Sequence, residues 1–139
     1  MVSRPDSTNV LAWARTYIEE TEQMDDKTTT VAELCKLVDD FVAQRDWHRF
    51  HDPKNLACSI LIEGAELMEH FQWLRTDELP GVREDANKMA RIREELADVF
   101  AFALSFANTM NIDITTALRD KMKMNAIKYP VEEYRGRFE

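Results

Sequence analysis

Two pairs of acidic residues stand out by type and spacing: Glu63 with Glu66, and Glu95 with Asp98. In a helix, a step of three residues leaves about 60° between side chains, so the members of each pair reach one point. Each pair sits among apolar neighbours, Ile62, Ala65 and Leu67 around the first and Leu96, Val99 and Phe100 around the second. Carboxylates in such surroundings are costly unless paired, hydrogen-bonded or bound to metal. If the two segments lie antiparallel, four carboxylates converge, and they cannot all stay ionised without a counter-charge. An all-oxygen set suits Mg²⁺, and Mn²⁺ also fits. Mg²⁺ keeps waters and binds substrate phosphates, so the arrangement implies a phosphate-bearing ligand. The competing reading makes these acids solvated faces or ion-pair partners of Arg91 and Arg93. One ExxE alone favours that reading; two pairs on largely apolar helices favour the metal. A carboxylate-bridged di-iron centre needs ExxH on two helices. Here His70 follows Glu66 at four, and the segment carrying Glu95 has no histidine. Glu69 turns about 60° further from Glu66, toward a rim or outer position.

These acids need helices to hold them. The chain has 139 residues with 45% hydrophobic composition, only 3 Gly and 4 Pro, so helices are favoured over turn-rich β structure. The segment 61–74, "LIEGAELMEHFQWL", reads as a buried helix that begins after the Asp52-Pro53 cap and runs to about Leu74. Helical periodicity also covers 30–46, 84–110 and 114–128, the last capped by Asp113 and stopped by Pro130. A further amphipathic helix is predicted over 7–22, through Val10, Trp13 and Tyr17, with Leu11, Ala14 and Ile18 beside them. The fold class expected is all-α, a four-helix-bundle type with an extra N-terminal segment. Residues 1–27 are read as that extension and 28–139 as the main domain. Val99, Phe100, Phe102, Leu104 and Phe106 occupy more than one helix face. A second subunit covering them is expected, giving a homo-oligomer, dimer or tetramer.

The net charge of −8 argues against a nucleic-acid partner, which needs a basic face. The longest apolar run, 99–107, is too short to span a bilayer, and the N-terminus lacks a signal-peptide core. No membrane association and a cytoplasmic location are expected, with Cys35 and Cys58 as small buried thiols. Lys121, Asn125 and Lys128 share one helical stripe able to hold phosphate oxygens, or else form a basic C-terminus favoured by the helix dipole. Trp47 and Trp73 flank the first acidic helix, where packing is the commoner role for tryptophan. His48, His51 and His70 have no metal-ligand spacing among themselves.

From about Val31 to Pro130, the order "RDWHRFHDPKNL", "EGAELMEHFQW", "EELADV" and "KMKMNAIKYP" resembles the MazG-like all-α nucleoside triphosphate pyrophosphohydrolases, the dCTP pyrophosphatase branch in particular. The resemblance implies Mg²⁺-dependent hydrolysis of a nucleoside triphosphate to monophosphate and pyrophosphate. It implies metal ligands and catalytic groups at Glu63, Glu66, Glu95 and Asp98; on chemical grounds one carboxylate, Glu63 or Glu66, is alternatively the general base instead. It implies substrate contacts from Lys121, Asn125 and Tyr129, and from Trp47 and Trp73 around the base. Val38 stands where the vertebrate dCTP enzymes carry histidine, and Phe102 where many relatives carry tyrosine. The reaction class survives these departures; the identity of the base does not. A nucleotide-binding regulatory module with little turnover is the alternative reading, and a purely structural helical assembly is a third.

Overall fold

The computed structural model describes residues 7–137, with side-chain surroundings from residue 12 onward. The expected roles of Val10 and Leu11 and all of residues 1–6 therefore lie outside the described residues. Helix α1 spans Ser7–Thr21, α2 Val31–Ala43, α3 Pro53–Glu69, α4 Ala86–Met110, α5 Ile114–Lys128 and α6 Val131–Tyr134. Single 3₁₀ segments at His48–Phe50 and Leu79–Glu84 join them, and no strand occurs among the described residues.

The helix starts are chemically explicit. Thr30 and Glu33 form a capping box, Glu33 N–H donating to Thr30 Oγ1 at 3.2 Å and Thr30 N–H to Glu33 Oε2 at 2.7 Å. Asp52 accepts from Asn55 N–H at 3.0 Å with Pro53 in the first turn of α3. Asp85 accepts from Lys88 N–H at 3.0 Å to begin α4, and Asp113 from Thr116 N–H at 2.8 Å to begin α5. Asn111 ends α4 in the left-handed region, at φ 53°.

Helices α3 and α4 form the most extensive pair, and α2 packs on α4. The α3–α4 pair is antiparallel: Thr109 Oγ1, near the end of α4, donates to the His51 carbonyl at 3.4 Å, while His70 just past the end of α3 approaches Glu95. Asn108 Nδ2 ties α4 to α2 by donating to the Cys35 carbonyl at 2.9 Å. Val42, Leu56, Val82, Leu104 and Ala107 are the buried apolar side chains among those described.

Three expectations change. Helix α3 stops at Glu69 rather than Leu74; the Phe71 N–H turns back to the Met68 carbonyl at 2.9 Å and the Leu74 N–H to the Phe71 carbonyl at 2.9 Å. The segment 61–74 is not buried within one chain, since Leu61 is 75% and Trp73 85% exposed. Cys58 is exposed as well, while Cys35 is half-buried, where burial pushes its thiol pKa up. Helix α5 makes no extensive contact with any other described element, so the packed unit of one chain is α2, α3 and α4.

Candidate active site

The antiparallel seam brings three of the four expected acids into one group. One carboxylate oxygen each from Glu63, Glu66 and Glu95 lies within 4.8 Å of the others, close enough to ligate one ion. Glu63 and Glu95 are half-buried and Glu66 is exposed. Asp98, one turn along α4 from Glu95, is near enough to act on Glu63. Burial first, and then the charges of Glu66, Asp98 and Glu95, raise the Glu63 pKa above its ordinary value. No lysine or arginine ion-pairs with these four among the described residues; the contact made is His70 Nε2, 4.0 Å from Glu95 Oε1. The competing reading, ion pairs to Arg91 or Arg93, is not realised there. A convergent set of hard oxygens, short of positive charge and partly open to solvent, fits Mg²⁺ or Mn²⁺.

The remaining expected site residues are dispersed in one chain. Trp47 follows α2, 43% exposed, with its ring 6.0 Å from Phe41 and Arg45 5.8 Å above it. Trp73 projects from the turn after α3. Lys121 and Asn125 lie on α5 and Tyr129 just beyond it, away from extensive contact with α3 or α4. The Tyr129 ring meets Tyr134 at 5.2 Å and Lys128 Nζ at 5.0 Å. Val38 and Phe102 are half-buried.

Two features escaped the sequence reading. A polar cavity of about 250 Å³ is lined by Asp39, His48, His51, Ser105, Asn108 and Thr109, with His48 Nε2 2.8 Å from Asp39 Oδ1. Burial and then the neighbouring His48 lower the His51 pKa. Helix α2, the loop after it and α4 each contribute to this cavity, so the periodicity of no single helix announces it. The second is a depression beside the carboxylates lined in part by Lys88 and Arg91. Its signal was readable: Lys88, Arg91, Glu95 and Asp98 continue a single helical stripe.

Fold and site together define a class: all-α proteins in which an antiparallel helix pair presents a carboxylate cluster suited to a divalent cation. Residues 58–137 match the MazG-like family, and the chain belongs to it. It is 36% identical over 108 residues to dCTP pyrophosphatase 1 of Bos taurus, covering 77% of this chain and 63% of the bovine protein. The human dCTP pyrophosphatase 1 is 36% identical over 102 residues, covering 73% of this chain and 59% of the human one. The chain thus spans less than two thirds of the length of these relatives. Among solved structures, a pyrophosphatase from Archaeoglobus fulgidus is 38% identical with a TM-score of 0.68, covering 78% of this chain and 99% of that one. No helix among the described residues is long and apolar enough to cross a membrane.

Proposed function

We propose that the chain hydrolyses (deoxy)nucleoside triphosphates to the monophosphate and pyrophosphate, dCTP or modified pyrimidine forms foremost, as a cytoplasmic enzyme of nucleotide pool sanitation. The observation that carries this reading is the oxygen cluster of Glu63, Glu66 and Glu95 beside Asp98, in a chain related to proteins named pyrophosphatases. Mg²⁺ held by these four carboxylates would neutralise triphosphate oxygens and acidify a water molecule. Glu63 or Glu66 accepts the proton of the attacking water. The water oxygen bonds to the α-phosphorus, the bond to the bridging oxygen breaks, and pyrophosphate leaves with the electron pair. Trp47 and Trp73 offer indole faces for stacking on the base. Residues 28–139 form the catalytic domain and 1–27 an extension.

Lys121, Asn125 and Tyr129 complete the triphosphate contacts from a neighbouring copy, because α5 does not pack on its own chain's seam. The functional unit is therefore a homo-oligomer, with neither nucleic acid nor membrane as a partner. The same dispersal favours a second reading, a nucleotide-binding regulatory module in which the groups never assemble for turnover. One assay separates the two. With Mg²⁺ and a panel of canonical and modified triphosphates, we expect monophosphate and pyrophosphate in equal amounts, best with pyrimidine deoxynucleotides. Orthophosphate release would mean cleavage elsewhere in the chain of phosphates, and nucleotide binding without turnover would favour the regulatory module.

A further inference from the structure

The seam between α3 and α4 continues past the carboxylates. Arg91 and Lys88 precede Glu95 by four and seven residues, steps that keep a side chain within about 40° of the same helical stripe. They therefore stand about 6 Å and about 10 Å further along the α4 axis. Glu69, His70, Asp85, Asn87, Lys88 and Arg91 line a depression of about 320 Å³ at this end. His70 links it to the carboxylates, with its Nε2 4.0 Å from Glu95 Oε1 and both side chains about one-fifth exposed, 20% and 21%.

The charges here are unevenly committed. Neither Lys88 nor Arg91 makes an ion pair among the described residues, although Lys88 is half-buried. Asp85 is engaged as the cap of α4, where the partial positive charge of the helix terminus offsets it. Glu69 is exposed. At the opposite end of the seam Thr109 meets His51, and Trp47 lies earlier in the same loop, against Phe41 and Arg45. The cations thus lie past the carboxylates, at the end of the seam where α3 stops and opposite the loop that carries Trp47.

We propose that Lys88 and Arg91 form a subsite for the terminal phosphates of the substrate and, after cleavage, for departing pyrophosphate. The inference rests on the pyrophosphohydrolase reading and specifies where the leaving group goes. Pyrophosphate takes the electron pair of the broken bond, so its charge grows as it departs. The planar Arg91 guanidinium can grip two of its oxygens, while the compact Lys88 ammonium adds a point charge. Because α5 makes no extensive contact with the seam, Lys88 and Arg91 are, among the described residues, cations that a single chain sets near its own carboxylates.

The test is calorimetric titration of the full chain, with Mg²⁺, by inorganic pyrophosphate and separately by a deoxynucleoside monophosphate. The proteins are wild type, the double variant Lys88→Gln with Arg91→Gln, and Glu69→Gln. Circular dichroism verifies equal helix content. The double variant should bind pyrophosphate about tenfold more weakly for each cation removed and bind the monophosphate as wild type does. Glu69→Gln should bind pyrophosphate equally or more tightly, since a like charge is gone. Unchanged pyrophosphate affinity in the double variant would overturn the subsite while leaving the parent function intact. Weaker pyrophosphate binding by Glu69→Gln would also overturn it, because the depression would then be holding a metal ion. Failure of wild type to bind pyrophosphate or any triphosphate would remove the pyrophosphohydrolase reading and the subsite with it.

Discussion

Glu63 is where burial and three neighbouring carboxylates act in the same direction on one group. Its folded-state pKa is raised, so the stability it contributes is fully present below its unfolded value of about 4.3 and is lost as pH rises through the folded value. At neutral pH without metal, ionised Glu63 therefore opposes folding. Glu63→Gln should stabilise the metal-free protein at pH 7, by less than about 1 kcal/mol because the site is partly open to solvent, and so raise its melting temperature. With Mg²⁺ the order should reverse: wild type gains stability from a ligand of the native state and the variant gains less. Its turnover should fall by at least about a hundredfold, as expected when a group at the reacting centre is removed. Thermal melts in EDTA and in Mg²⁺ check this; a variant stabilised by Mg²⁺ as strongly as wild type would exclude Glu63 as a ligand. The acids were legible in the sequence because helical register is arithmetic. Asp39 and His48 were not, because a loop rather than a helix face makes them neighbours.

Element by element, legibility followed the caps. Asp52-Pro53 and Asp113 mark the starts of α3 and α5 in sequence and in structure alike, since a short oxygen-bearing side chain satisfies N–H groups that the helix leaves free. The end of α3 has no glycine or proline to mark it, and the apolar pattern runs on through Phe71 and Leu74. Those side chains stay half-buried while the backbone leaves the helix, so the pattern outlasts the element. The capping box of α2 makes a prediction at this scale. Backbone and side-chain hydrogen bonds from Thr30 lower the Glu33 pKa. The stabilisation from Glu33 should thus be present above the unfolded value of about 4.3 and be lost as pH falls through the folded value. Denaturant melts should separate wild type from Glu33→Gln at neutral pH, and the gap should close as pH falls through the lowered folded-state pKa of Glu33. A gap independent of pH would mean that Glu33 acts without its charge. Thr30→Ala should cost about 1 kcal/mol at neutral pH, the usual cost of losing an N-cap.

Across the whole molecule, four of the apolar residues that gave 61–74 a buried look, Leu61, Ile62, Met68 and Trp73, are solvent-facing in one chain. Leu61 and Met68 lie about 150° around α3 from Glu63, and Leu96 and Phe100 about 100–140° around α4 from Glu95. The helices turn Glu63, Glu66 and Glu95 toward one another and leave other apolar faces uncovered, with Leu61 at 75%, Phe100 at 59% and, on α5, Ile127 at 82% exposure. The sequence registered that these residues are apolar on several faces; periodicity alone does not say which chain covers them. In the homo-oligomer proposed above, faces of this kind would form a helix-to-helix interface between copies, of the size typical of obligate homodimers, roughly 2,000 Å² or more. The same assembly would bring Lys121 and Asn125 of a neighbouring copy toward a seam that one chain leaves without them. Leu61→Glu and Phe100→Glu place a charge in that interface without touching the carboxylates. Each should shift the mass seen by sedimentation velocity toward a smaller species and lower triphosphate hydrolysis about tenfold or more, as the loss of a charged phosphate contact implies. Pyrophosphate binding at Lys88 and Arg91, which lie within one chain, should be far less affected. A wild-type protein that sediments as a monomer while turning over triphosphate would show that a single chain supplies the complete site, and α5 would then have to close onto its own seam.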